Sequence, residues 1–182
     1  MPYQHSIGLP TPIDQESFLV NRNNLIALFT FGVVLLALGV LWFIDRDERL
    51  IRKRLNDLEE TVSMTKFSPI GTAKAAKALD TYFTDPVTIH TNYDEIDGNH
   101  TREELRSLFL QGRAASTSIH LHFDTPEFIS CKNKQAQLRT HTILTIHFKD
   151  AESGQEKRNL IINLEKFSGK WLIRQITDPT YN

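Results

Sequence analysis

An uncharged apolar run near the start of the chain limits what the rest of it can fold into. Residues Leu25 to Ile44 read LIALFTFGVVLLALGVLWFI and include no charged side chain. Twenty helical residues with a rise of about 1.5 Å each span roughly 30 Å, which matches the hydrocarbon core of a bilayer. The run therefore predicts one transmembrane helix over residues 25–44, with the lipid bilayer as a partner of the chain.

Two other interpretations of this run remain open. One is a helix buried in a soluble domain, although such a helix rarely continues for this long without a charge. The other is a cleaved signal peptide, but its apolar region is about 7–15 residues long and follows a basic stretch. Here the tail before the run contains a single Lys or Arg, Arg22. A single-pass membrane protein is the better prediction.

The apolar run divides the remaining sequence. Residues 1–24 contain three prolines and little periodicity, which predicts a flexible tail. Residues 45–64 are predicted to form an amphipathic helix with Ile51, Leu55 and Leu58 on one face. That stripe fits core packing or a coiled-coil dimer, and its short length favours the core. Residues 65–177 are expected to form the folded domain, and 178–182 a C-terminal tail.

The order of patterns after residue 65 predicts an α+β fold. Pro69 and Gly71 predict the end of the amphipathic helix, and an Ala-rich stretch predicts a second helix over 72–82. A strand over 87–93 and a turn over 94–99 come next. Thr101 and Glu104 form a capping-box pattern that starts a helix reaching about residue 115. Alternating apolar residues then predict strands over 118–123, 127–130, 135–148, 157–167 and 171–176, with a hairpin turn over 131–134.

Four segments resemble the nuclear transport factor 2-like superfamily, also called SnoaL-like. They are IRKRLNDLEETVS (51–63), ALDTYFTDPVTIHT (78–91), TREELRSLF (101–109) and FSGKWLIRQI (167–176). The resemblance covers residues 45–177. It implies a cystatin-type cone, in which about three helices pack on a strongly curved, mainly antiparallel sheet.

The resemblance also implies where a site would lie. Enzymes of this superfamily use the open end of the cone, with an Asp, His or Tyr as the base. The candidates for catalysis at such a site are His90, His141, Tyr82 and Asp178, and those for ligand binding are Tyr93, Arg139 and Trp171. No pair among them has a spacing that fixes a catalytic geometry, so they are also compatible with a plugged, non-catalytic cavity.

Metal and thiol chemistry have few candidates. His120 and His122 alternate onto one strand face and, with a third ligand, would suit zinc, but a polar strand face explains them equally. Cys131 starts a turn that also contains Lys132 and Lys134, whose charges would lower a thiol pKa, yet no partner motif accompanies it. We expect no cofactor, because the sequence contains no phosphate-binding loop and no paired-cysteine site.

Charge excludes one class of partner and leaves the location of the domain open. With 21 Lys and Arg against 22 Asp and Glu, the net charge of −1 argues against a dedicated nucleic-acid binder. Five Lys or Arg follow the apolar run within twenty residues, and this distribution favours a cytoplasmic domain. The resemblance instead implies an extracytoplasmic domain on the periplasmic side of a cell envelope, as in the inner-membrane component of type IV secretion machines.

The functional expectation follows from the anchor, the fold and the missing catalytic pattern. We expect a membrane-anchored, non-catalytic domain that binds a protein partner or a small ligand in the cell envelope. The resemblance adds a homodimer formed through the open sheet face. The alternative is an isomerase, dehydratase or cyclase acting on an apolar ligand inside the cone.

Overall fold

The computed structural model describes residues 31–35, 46–94, 96–150 and 152–180. The chain divides into two compact units, residues 1–43 and 44–182. In the first unit, residues 31–35 are helical. The rest of the predicted span 25–44 lies outside the described residues, as does the N-terminal tail. Within the described ranges, no helix is both long and apolar enough to span a bilayer.

In the described part of the second unit there are three helices, as the sequence predicts. The described part of α1 covers residues 46–62, α2 is Pro69–Leu79 and α3 is Arg102–Ala115. The predicted stripe of α1 is buried, with Ile51 0%, Leu55 1% and Leu58 4% exposed. Burying such a side chain contributes about 1.5–3 kcal/mol, so this stripe fixes α1 on the sheet.

The bounds predicted for α2 are wrong by three residues at each end. Pro69 does not simply interrupt α1, because it occupies the start of α2, where the missing N–H costs nothing. The hydroxyl of Ser68 accepts a hydrogen bond of 3.3 Å from the backbone N–H of Gly71 and caps the helix. The predicted start of α3 is confirmed, since the capping box of Thr101 and Glu104 is formed in both directions.

Across the ranges that the structure describes, seven strands form one curved, mixed sheet. They are β1 Phe83–His90, β2 Gly98–His100, β3 Ser116–Phe123, β4 Glu127–Lys132, β5 Gln135–Phe148, β6 Gly154–Phe167 and β7 Lys170–Thr177. Their order is β2-β1-β7-β6-β5-β3, and β4 pairs with the other half of β5. Only β1 and β7 pair in parallel among these strands.

Several strand predictions are correct and others need correction. The bounds of β5 are as predicted, and β3, β6 and β7 extend slightly beyond theirs. The turn predicted over 94–99 contains the start of β2, which pairs with β1. The strand predicted over 87–93 begins earlier, because Phe83 already pairs with Ile173 of β7. The turn predicted over 131–134 is shorter, since Cys131 belongs to β4 and only Asn133 and Lys134 adopt positive φ.

The two faces of the sheet have different roles. The inner face, which packs against the helices, carries Leu138, Ile162 and Ile173, each at most 1% exposed. The alternate residues form the outer face, and it carries mostly polar side chains. The inside of the cone is filled by one apolar cluster, so helices and sheet share a single core.

Candidate functional site

A polar cluster lies where the inner face of the sheet leaves the apolar core. Arg158 on β6 is its centre, and the side chains around it are Glu156, Asp178, Asn92 and Tyr93. Asp178 directly follows β7, and Tyr93 lies in the loop after β1. We call these five residues the Arg158 cluster.

The cluster uses the complete hydrogen-bonding capacity of the Arg158 guanidinium. Nη1 donates to Asp178 at 2.5 Å and to Asn92 at 2.9 Å, and Nη2 donates to Tyr93 at 2.9 Å and to Glu156 at 2.5 Å. Nε donates to Glu156 at 2.8 Å. A guanidinium has five N–H donors, and each of them has a partner within the protein. Arg158 therefore has no donor left for a ligand.

Both carboxylates of the cluster are held in the ionised form. Burial acts to raise the pKa of Asp178, but hydrogen bonds from Thr180 and Arg158 outweigh it and lower that pKa below its ordinary value. Burial also acts to raise the pKa of Glu156, and hydrogen bonds from Tyr93 and Arg158 lower it overall. The pKa of Tyr93 is raised, first by its hydrogen bond to Glu156. At neutral pH both carboxylates therefore stay charged and the Tyr93 hydroxyl stays protonated, which suits structure better than proton transfer.

A layer of buried polar side chains surrounds the cluster on the inner face. Thr91, Thr140 and Thr142 are between 2% and 8% exposed. The hydroxyl of Thr140 donates to the carbonyl of Asp124 at 2.9 Å. The hydroxyl of Thr142, directly opposite Arg158 in the pairing of β5 with β6, is buried without a hydrogen-bond partner. The apolar core therefore gives way to a polar layer at the mouth of the cone.

The structure brings two of the predicted candidates together and separates the rest. Tyr93 and Asp178 both contact Arg158, although they lie far apart in sequence. Tyr82 is 6% exposed, and its hydroxyl lies 3.1 Å from that of Thr61. Trp171 is 3% exposed and lies within the core cluster. Tyr82 and Trp171 are therefore structural residues in this fold.

Three further candidates lie on the outer face, not at the mouth of the cone. Arg139 and His141 alternate with the buried Leu138 and Thr140 on β5, so they point away from the helices. Arg139 lies 3.9 Å from Glu127, and His141 Nδ1 lies 3.1 Å from Asn159 Oδ1. His90, on the outer side of β1, lies 3.9 Å from Asp97. Their predicted position inside the cone is wrong, because their side chains lie on the opposite face of the sheet.

The structure does not group the candidates for metal and thiol chemistry into a site. His120 and His122 are exposed on β3, and His122 lies 3.2 Å from Glu59 and 3.5 Å from Asp124. Among the described residues, no three His, Cys, Asp or Glu side chains are grouped so that they could hold a metal ion. The expectation of a lowered pKa for Cys131 is wrong, because burial and the nearby Asp47 raise it.

A row of uncharged polar side chains crosses the outer face and was not anticipated from the sequence. Successive pairings place one member on each of six strands, and the list runs Asn99, Thr88, Gln175, Asn163, Gln137 and Ser130. Gln137 donates to Asn163 at 3.0 Å, and Asn163 donates to Gln175 at 3.2 Å. Thr88 donates to Asn99 at 2.7 Å. We call these six residues the amide row.

A groove of about 550 Å³ lies along the amide row. Its walls include Thr88, Gln137, Asn163 and Gln175. Charge in the groove is balanced locally, because Arg174 lies 3.8 Å from Glu165. Each of the three amide side chains in the chain of hydrogen bonds uses only one of its two N–H groups on the residues described. The row therefore presents free donors and acceptors to whatever covers it.

The fold is shared with solved structures of low sequence similarity. A protein from Novosphingobium aromaticivorans, provisionally described as an aromatic ring hydroxylase, aligns with a TM-score of 0.61 at 12% identity, covering 72% of this chain and 87% of that one. An NTF2-like protein with a cystatin-like fold from the same organism gives 0.53 at 10% identity, covering 91% and 90%. The association domain of C. elegans CaMKII gives 0.52 at 10% identity, covering 74% and 95%.

This chain has the nuclear transport factor 2-like fold. At these identities the likeness establishes the fold and not an activity. No family model matches the sequence, and no curated protein does. The expected α+β fold with a curved, mainly antiparallel sheet is thus confirmed, and β1 with β7 is the parallel pair among the described strands.

Proposed function

We propose that this nuclear transport factor 2-like domain is a non-catalytic binding module, tethered to a membrane by residues 25–44, that pairs with a second copy through the outer face of its sheet. The observation that carries the proposal is the amide row. It crosses six strands, is neutral, and retains donors and acceptors on a broad open face.

The amide row has the property that a two-fold interface needs. In such an interface the same patch meets itself, so it must be complementary to itself. A primary amide donates and accepts, and it can therefore pair with its own copy. Like charges do not oppose this, because Arg174 lies beside Glu165 and Arg139 beside Glu127 on the same face. One neighbour in fold, the CaMKII association domain, is by its name an assembly module.

The mouth of the cone supports the non-catalytic part of the proposal. All N–H groups of Arg158 are taken, and both carboxylates that it contacts are ionised and hydrogen-bonded. A general base must be able to accept a proton near the working pH. Below the cluster, the interior is occupied by apolar side chains of the protein itself.

The test is the oligomeric state of the full chain in detergent, measured by light scattering after gel filtration. Asn163→Arg would place like charges opposite each other at the centre of the row, so the dimer should dissociate to monomer. Asn56→Arg makes the same exchange at an exposed position of α1 and should leave the dimer intact. A wild-type chain that is monomeric at every concentration would overturn the proposal.

The second candidate function is an enzyme of the isomerase, dehydratase or cyclase kind. Two observations favour it. The Thr142 hydroxyl is buried without a partner opposite Arg158, and an apolar groove of about 200 Å³ lined by Leu144, Ile146 and Phe148 adjoins Glu156. Soaking crystals with small apolar ketones distinguishes the two functions, since an enzyme of this kind would hold one within hydrogen-bonding distance of Thr142.

A further inference from the structure

The end of the domain where α1 begins gathers positive charge. Asp47, in the first turn of α1, contacts Lys166 near the end of β6 at 2.5 Å and lies 3.4 Å from the indole nitrogen of Trp171. The backbone N–H of Lys166 donates to the carbonyl of Lys134 at 2.8 Å. The start of α1 and the two hairpin turns, after β4 and after β6, therefore lie at the same end of the domain.

Exposed cations from all three segments meet at this end. They are Arg46, Arg49 and Lys53 on α1, Lys132 and Lys134 at the first hairpin, and Lys170 at the second. Lys53 and Lys170 line one groove of about 200 Å³. Asp47 is paired with Lys166, and the further acidic side chains on this part of α1, Glu48 and Asp57, are fewer than the cations. We call this set, with the two apolar residues described next, the α1-entry surface.

Two apolar side chains stand out of this basic surface. Phe167, beside the second hairpin turn, is 68% exposed, and Leu50 on α1 is 40% exposed. Ser168 and Gly169 form the turn and adopt positive φ. Phe167 directly precedes them and therefore lies next to the tip of the hairpin. An exposed aromatic ring among lysines is typical of a surface that inserts shallowly between lipid headgroups.

The sequence puts a bilayer next to this end. Residue 46 follows the apolar run 25–44 by two residues, and consecutive Cα atoms are about 3.8 Å apart. If the run spans the membrane, α1 must start within about 8 Å of its boundary, roughly one Debye length at physiological salt. Cations at that distance are attracted to anionic lipids.

We propose that the α1-entry surface docks on the anionic headgroups of the bilayer that holds the anchor, with Phe167 and Leu50 entering the interface. This inference rests on the tether in the proposed function, but not on dimer formation. The surface carries six exposed cations, while residues 46–182 carry 20 Lys and Arg against 19 Asp and Glu, so the rest of the domain has a net charge of −5 and is repelled by the same lipids. Docking would therefore fix the orientation of the domain on the membrane.

The test uses the full chain in vesicles with a fluorescent label at residue 167. Phe167→Cys in a Cys131→Ala background is labelled with nitrobenzoxadiazole and reconstituted in phosphatidylcholine, with or without phosphatidylglycerol. Anionic lipid should shift the emission to the blue and increase quenching by nitroxide lipids several-fold. Raised salt should reverse part of the change.

Charge-reversal variants distinguish binding through the α1-entry surface from a general effect of the net charge of the protein. Lys53→Glu, Lys132→Glu and Lys170→Glu together should abolish the anionic-lipid response. A matched control reverses Lys66, Lys74 and Lys77, the first two of which line a groove at the far end of α1, roughly 25 Å away along the helix. That control should keep the response. If the Glu variant does not fold, the corresponding Gln variant should still weaken the response several-fold.

The outcomes distinguish the two proposals. A chain that does not float with neutral vesicles would overturn the tether and this inference together. A chain that floats, but whose label stays exposed to water in anionic vesicles, would overturn this inference alone. An equal loss of response in both triple variants would also overturn it.

Discussion

The guanidinium of Arg158 donates a hydrogen bond of 2.5 Å to the carboxylate of Asp178, whose side chain is only 3% exposed. This pair joins β6 to the residue that follows β7, and it closes the inner face at the mouth of the cone. The guanidinium also donates hydrogen bonds to Asn92 and Tyr93, which lie in the loop after β1. One side chain thus holds three segments of the cone together.

Removing Arg158 should destabilise the domain strongly. Arg158→Leu leaves the Asp178 carboxylate buried beside an apolar side chain, and we expect a loss of roughly 3 kcal/mol in the free energy of unfolding. Urea denaturation followed by fluorescence measures it. Arg139→Leu breaks an exposed contact of 3.9 Å with Glu127 and should cost less than about 1 kcal/mol. Equal losses in the two variants would contradict the role given to the cluster.

Acid should weaken the same cluster. The folded-state pKa values of Asp178 and Glu156 lie below their ordinary values of 3.8 and 4.5. Their contribution to the free energy of unfolding is therefore complete at pH values above the ordinary pKa values. It is lost as the pH falls from there through the lowered pKa values of the folded state. The free energy of unfolding should fall between pH 6 and pH 3. In the Asp178→Asn variant, the free energy of unfolding should fall less steeply over the same range. An unchanged slope in the variant would exclude this assignment.

Two neighbouring threonines of β5 should respond oppositely to the same substitution. Thr140→Val removes a hydroxyl that donates to Asp124 at 2.9 Å, so it should cost about 1 kcal/mol. Thr142→Val removes a buried hydroxyl without a partner, so it should be neutral or slightly stabilising. Both values come from urea denaturation. A large loss in Thr142→Val would contradict this assignment, because it would show that the hydroxyl already has a hydrogen-bond partner within the protein.

The capping box of α3 should matter more than the cap of α2. Thr101→Ala removes the hydroxyl that accepts from the Glu104 N–H, and we expect a loss of about 1 kcal/mol. Ser68→Ala removes a single bond of 3.3 Å and should cost less. Thermal unfolding of both variants measures the difference, and a reversed order would show that the α3 cap does not limit stability.

The elements of this fold were largely predictable because their signals are local. The stripe of Ile51, Leu55 and Leu58, the capping box at Thr101 and the alternation along β5 each depend on neighbours in sequence. The sequence misplaces Pro69 because a proline can either interrupt a helix or occupy its first turn, and only the Ser68 cap separates the two cases.

The site was much less predictable because it depends on strand face and on distant pairing. His90, Arg139 and His141 were assigned to the cone, but the residues beside them take the inward positions. Arg158 went unnoticed since it lies in a polar stretch with no motif, and its partners Tyr93 and Asp178 come from elsewhere in the chain. The amide row exists only through the register of six strands, which no local pattern specifies.

Cysteine cross-linking at residue 163 tests most directly whether two copies meet along the amide row. Asn163 lies on β6, between Gln137 and Gln175 at the centre of the row, so a two-fold axis there brings it close to its own copy. In full-length Cys131→Ala protein, Asn163→Cys should form a disulfide-linked dimer at low protein concentration under mild oxidation, while Asn56→Cys on α1 should remain monomeric. A chain that cross-links through residue 56 but not through residue 163 would contradict the proposed interface.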